Sequence, residues 1–150
     1  MLVRGLGGGL LLALVLASPA AAHDPIFVDD ATPPAESPVI QDGTISFAVY
    51  GTIAEAGGSS HVRLDLADGD TFNLEVLVPD RDPENTLDDF SHLTITTTAP
   101  DGSSTELRGD GVIDRFDEPF TDTSYLRLIE FEAPAVAGTY ELTITSSLPT

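Results

Sequence analysis

Val62-Arg63-Leu64-Asp65-Leu66, then Ala67-Asp68-Gly69-Asp70, then Phe72-Asn73-Leu74-Glu75-Val76 is the stretch that decides the fold class of this chain. Apolar side chains fall on every second residue, the period of a strand with one face buried and one face wet, and not the 3.6-residue period of a helix. The intervening Asp and Gly tolerate the backbone angles of a tight turn, so the stretch predicts two strands joined as a hairpin, the second running from Phe72 to Val78. Upstream, Ile45, Phe47 and Val49 keep the same alternation. Downstream, Leu93, Ile95 and Thr97 alternate, Pro100-Asp101-Gly102 turns, and Thr105 to Arg108 reads as the return strand of a second hairpin. Two further strands, Tyr125 to Phe131 and Tyr140 to Ile144, flank Ala133-Pro134-Ala135-Val136-Ala137-Gly138, a loop suited to crossing between sheets. No stretch carries a helical period. About seven short, evenly spaced strands predict an all-β fold, an antiparallel β-sandwich of jelly-roll or immunoglobulin-like kind, over residues 43–150.

The beginning of the chain reads differently. Arg4, a short apolar run from Leu10 to Ala17 and Ala20-x-Ala22 make residues 1–22 a cleavable secretory signal peptide, cut after Ala20 or after Ala22. The apolar run of about 8 residues is far short of the roughly 20 that span a bilayer as a helix, so no membrane span is expected after cleavage. The expected location is secreted, extracellular or periplasmic. Cysteine is absent, which rules out disulfides and lipidation at cysteine and leaves stability to the core. Residues 23–42 hold Pro25, Pro33, Pro34 and Pro38 among acidic and small residues, and predict an extended arm that lies along the domain or dangles from it, with Ile26, Phe27 and Val28 available to pin its first part.

Twenty-five acidic residues face six basic ones, all arginine, for a net charge of −19. Removing Arg4 with the leader takes this to about −20. Such a surface repels phosphate backbones and anionic bilayers, so no nucleic-acid partner is expected. It suits a solvated exported protein, or one that binds divalent cations.

Gly69-Asp70 before a strand, Pro100-Asp101-Gly102 in a later turn and Ala137-Gly138-Thr139-Tyr140 opening the last strand resemble the bacterial pre-peptidase C-terminal (PPC) domain. The resemblance covers about 100 residues from Thr44 onward. It implies a small β-sandwich that accompanies exported enzymes and serves targeting, solubility or binding without catalysis. The departure is that these 150 residues hold no enzyme sequence beside the module. The start His23-Asp24-Pro25-Ile26-Phe27-Val28 is similar to that of exported bacterial proteins without an assigned activity.

Three histidines, His23, His61 and His92, are the imidazoles available to a metal. Cleavage after Ala22 would expose the amine and imidazole of His23, a chelate that a second imidazole from His61 or His92 would complete as a nitrogen-rich copper site. Cleavage after Ala20 would instead make His23 the third residue, suited to square-planar copper or nickel. The terminal histidine on a sandwich resembles exported copper carriers of the CopC type. Against this, His23 is also simply the residue beside a cleavage site, and His61 and His92 are polar residues at strand starts.

A second metal candidate is the loop from Asp80 to Asp89. Its carboxylates Asp80, Asp82, Glu84, Asp88 and Asp89, with the Asn85 amide, are the oxygen ligands calcium prefers. The loop lacks the EF-hand glycine and closing glutamate, Pro83 restricts it, and a solvated loop or helix cap explains the same residues. Asp29 with Asp30 is a weaker pair of the same kind. Cysteine and lysine nucleophiles are absent, and Ser59-Ser60-His61 lacks the Gly-x-Ser-x-Gly elbow of an activated serine. Phe90, Phe116, Phe120 and Tyr125 suit either core packing or a small apolar contact, and Arg115 to Phe120 reads as an apolar-acidic loop that either caps one end of the sandwich or marks a protein contact. The expected function is that of a soluble, non-enzymatic interaction or accessory module whose partner is an exported or cell-surface protein. Copper binding through His23 is the alternative, and calcium binding by the acidic loop a third reading.

Overall fold

The computed structural model describes residues 24–30, 32–82, 84–86, 90–118 and 122–148. Ten strands follow one another: β1 Asp24–Asp29, β2 Val39–Ile40, β3 Phe47–Thr52, β4 Ser59–Leu66, β5 Thr71–Pro79, β6 Leu93–Thr98, β7 Ser104–Arg108, β8 Asp114–Glu118, β9 Thr123–Pro134 and β10 Gly138–Ser146. Among the described residues helix is confined to short 3-10 turns at Pro34–Glu36 and Glu84–Thr86. Among the described residues no helix is long and apolar enough to cross a membrane.

The strands form a five-stranded sheet in the order β2-β4-β10-β6-β7, a three-stranded sheet β5-β9-β8, and a two-stranded ribbon β1-β3. The first two face each other across the core, so the all-β sandwich expected from sequence is present, with ten strands where about seven were expected. One buried cluster joins Val62, Leu64, Leu66, Tyr140 and Leu142 of the larger sheet to Phe72 of the smaller, and a second joins Leu93 and Ile95 to Leu128 and Ile129. Alternation in β4 is complete: Ser60, Val62, Leu64 and Leu66 point inward and are buried, while the residues between them are half-buried on the outer face.

Three expectations need correction. The turn at Ala67–Asp70 does not close a hairpin: β4 belongs to the larger sheet and β5 to the smaller, so the turn carries the chain over the edge of the sandwich. Gly and Asp supply the turn in either case, and the need to bury Phe72 across from Leu64 and Leu66 sends β5 to the opposite layer. The pairing is also not wholly antiparallel, because β1 runs parallel to β3 and β2 parallel to β4. The second hairpin, β6-β7, is present and antiparallel, and the segment from β9 to β10 does cross between sheets. Residues 115–118, read as part of a loop, belong instead to the edge strand β8 beside β9.

The proline-rich segment lies along the sandwich. Arg63 fastens its middle: the Arg63 guanidinium donates to the carbonyls of Ala35 and Ser37, and its backbone N–H donates to the carbonyl of Pro38. At its start Ile26 packs on the core, and β1 comes close to β3 because position 51 is glycine; a Cβ there would meet Val28 Cγ2 at 2.7 Å. Phe27 turns away from the core, 76% exposed, and meets the domain through the ring of Tyr50 on β3.

Candidate functional site

β10 runs antiparallel to both β4 and β6, so these two strands begin at the same end of the larger sheet, with Thr145 opposite Ser59 and Ser146 opposite Leu93. That brings His61 and His92 to one end, in different settings. His61 lies on the outer face, its ring held between two hydroxyls: Nε2 is 3.1 Å from Ser59 Oγ and Nδ1 is 3.1 Å from Thr143 Oγ1. His92 is buried, and its ring centroid lies 6.3 Å from that of Phe90. His23 lies outside the described residues. Among the described residues no three His, Cys, Asp or Glu side chains gather closely enough to hold a metal ion.

Of the acidic loop, Asp80, Asp82 and Glu84 are described, and Asp88 and Asp89 lie outside the described residues. Asp80 has both carboxylate oxygens engaged by the protein. Oδ2 pairs with Arg115 Nη1 at 2.6 Å, and Oδ1 accepts from the Asn85 amide at 3.0 Å. The arginine occupies the charge that a cation would need. Asp82 is exposed, and Glu84 begins a 3-10 turn. The weaker pair is also committed in part, since Asp30 Oδ2 accepts the Ala54 backbone N–H at 2.8 Å.

Beside His92, a shallow groove of about 370 Å³ opens on the outer face of the larger sheet, lined by His92, Thr94, Glu106, Arg108, Thr145 and Ser147 among others. Its character is set by hydroxyls and by one ion pair, Arg108 Nη2 to Glu106 Oε1 at 2.7 Å, which takes up both charges of β7. Of the aromatic candidates, Phe90 is core, Phe116 on β8 lies under the Arg127 guanidinium at 6.0 Å, and Phe120 lies outside the described residues.

The feature with no counterpart in the sequence reading is the β1-β3 ribbon. Parallel register sets Phe27 opposite Tyr50, and their rings stack at 5.6 Å on the outer face, with Tyr50 46% exposed. Ile45 and Val49 are also exposed. Beyond β1, no described strand pairs with β3, so among the described residues one side of β3 is open. Most edges of the sheets carry a device against stray pairing. β7 has Glu106 and Arg108, β8 has Asp114, Arg115, Asp117 and Glu118, β5 has Glu75 and ends on Pro79, and β1 has Pro25 between its terminal aspartates. β3, Phe-Ala-Val-Tyr-Gly-Thr, has neither charge nor proline. A search of family models, of curated proteins and of solved structures finds no match to this chain.

Proposed function

We propose that this chain is an exported, non-catalytic β-sandwich module that works by holding another exported or cell-surface protein. The observation that carries the reading is the β1-β3 ribbon, where an uncharged strand with one open side stands beside an outward Phe27–Tyr50 stack. An open strand edge offers unpaired N–H and C=O groups, the means by which one chain adds a strand to another's sheet. The leader at 1–22 and the PPC resemblance agree with such a role. The polar groups collected beside His92 favour no particular reaction.

The test is cross-linking of the processed protein in the exported fraction of its own cells, followed by identification of what is joined to it. A single protein recovered in about equimolar amount, unchanged in His23→Ala, is the expected result. Recovery of no partner, with stoichiometric Cu(II) binding that His23→Ala abolishes, would replace the module reading with that of a copper carrier.

A further inference from the structure

We infer that the open side of β3 receives an apolar β-strand about six residues long whose two ends carry lysine or arginine. The inference rests on the module reading and specifies the partner. Length follows from β3 itself, six residues from Phe47 to Thr52, all of them paired on the other side with β1. Apolar character follows from the exposed Val49, Tyr50 and Phe27. Charge follows from what surrounds the ribbon. Asp24 and Asp42 stand at the end where β3 begins, and Asp29, Asp30 and Glu55 at the end where it finishes. From Asp24 to Ser60 the chain has no basic residue at all. A neutral strand with carboxylates at both ends is complementary to an apolar strand with a cation at each end, and it disfavours a second copy of this anionic chain.

Pairing would add backbone hydrogen bonds along β3 and seat alternate side chains against the Phe27–Tyr50 stack. Attraction from the flanking carboxylates would raise the association rate and set the register.

Two fluorescent peptides test this: Arg-Arg-Val-Thr-Val-Thr-Val-Arg-Arg, and the same peptide with glutamate replacing every arginine. Fluorescence polarisation against the processed protein should show the arginine peptide binding at least about tenfold more tightly, and losing about tenfold between roughly 0.05 M and roughly 0.5 M NaCl. Backbone amide shifts should centre on residues 47–52. Tyr50→Lys places a cation on an exposed position of the strand and should weaken binding at least about fivefold while leaving the circular dichroism spectrum unchanged. Failure of both peptides to bind, equal binding of both, or amide shifts centred on β7 or β8 would each overturn the inference. A dimer in sedimentation that Tyr50→Lys dissolves would overturn it in favour of a second copy. If the cross-linked partner persists in Tyr50→Lys, the strand-addition site is wrong and the module reading stands; if wild type joins no partner, the module reading itself has failed.

Discussion

Arg127 shows how one side chain can hold a small sheet together. It sits on β9, the middle strand of three, and turns outward over both neighbours: Nη1 lies 3.4 Å from Asp114 of β8, and Nε lies 3.4 Å from Glu75 of β5. The Nε contact is an ion pair without hydrogen-bond alignment. The side chain is 18% exposed and also covers Phe116, so it loses packing as well as charge when shortened. Because Glu75 and Asp114 are more exposed, screening keeps the loss modest, and Arg127→Gln should cost about 1–2 kcal/mol in urea unfolding. A value near zero would mean that the guanidinium only rests on the surface. Carboxylates in turns behave differently. Asp101 accepts from the Ser103 hydroxyl first and from the Ser103 backbone N–H second, and both hold its carboxyl below the ordinary 3.8. Asp42 is lowered in the same way by Thr44, and Asp117 by Ser124 and then Arg115. A lowered folded value means that the stabilisation exists above the ordinary aspartate range and is lost as pH falls through the lowered value. Ser103→Ala removes the larger donor, so an NMR titration should find Asp101 moved up toward 3.8, while Asp42 stays where it was.

Strands β9 and β10 explain both how much of the fold the sequence announces and where it goes silent. In Leu126-Arg127-Leu128-Ile129-Glu130-Phe131 the apolar phase changes between Leu128 and Ile129, which strict alternation does not allow. Pairing with β5 skips Leu128, with Val76 opposite Ile129 and Leu77 opposite Arg127, so a bulge lets Leu128 and Ile129 both enter the core. The phase change was visible, and its meaning needed the partner strand. The Ala137-Gly138-Thr139-Tyr140 motif has a comparable local reason. Gly138 has φ of +139° and a Cβ there would sit 2.7 Å from Pro100, while the Tyr140 hydroxyl accepts the Val136 N–H at 3.0 Å and braces the crossing loop. Tyr140→Phe keeps the ring against Phe72 and deletes that bond, so thermal unfolding should report a loss of about 1 kcal/mol; no loss would mean that Val136 finds another acceptor. Alternation announced β4, β5, β6 and β10 because each buries one face. It passed over β8, whose Asp-Arg-Phe-Asp-Glu has one apolar residue, and it mistook the layer change after β4 for a hairpin. The Phe27–Tyr50 stack was illegible for a stronger reason: it depends on parallel pairing of distant strands, which leaves no local pattern. The histidines and the acidic loop were legible as residue types, but their surroundings were not, since Thr143 beside His61 and Arg115 beside Asp80 come from elsewhere in the chain.

At the scale of the whole molecule, the opposing effects are a thin two-layer core and a net charge of −19. Like charges distributed over so small a body repel one another, and compaction brings them closer, so folding works against this repulsion. Salt screens it over about 10 Å at 0.1 M. The same salt weakens the ion pairs of Arg115 and Arg127, but those are few beside the uncompensated carboxylates. The melting temperature should therefore rise as NaCl goes from roughly 0.02 M to roughly 0.3 M, and should rise more steeply in Arg127→Gln, which has lost an attraction that salt would otherwise weaken. A melting temperature that falls with salt would show that the ion pairs outweigh the repulsion. Cation identity separates screening from a site: at equal ionic strength sodium and calcium should act alike if the effect is diffuse, whereas a rise specific to calcium and reversed by EDTA would mean that the folded chain binds that ion selectively. In that case Asp80→Asn should reduce the calcium increment if the ion sits in the 80–89 loop, and leave it intact if it sits elsewhere.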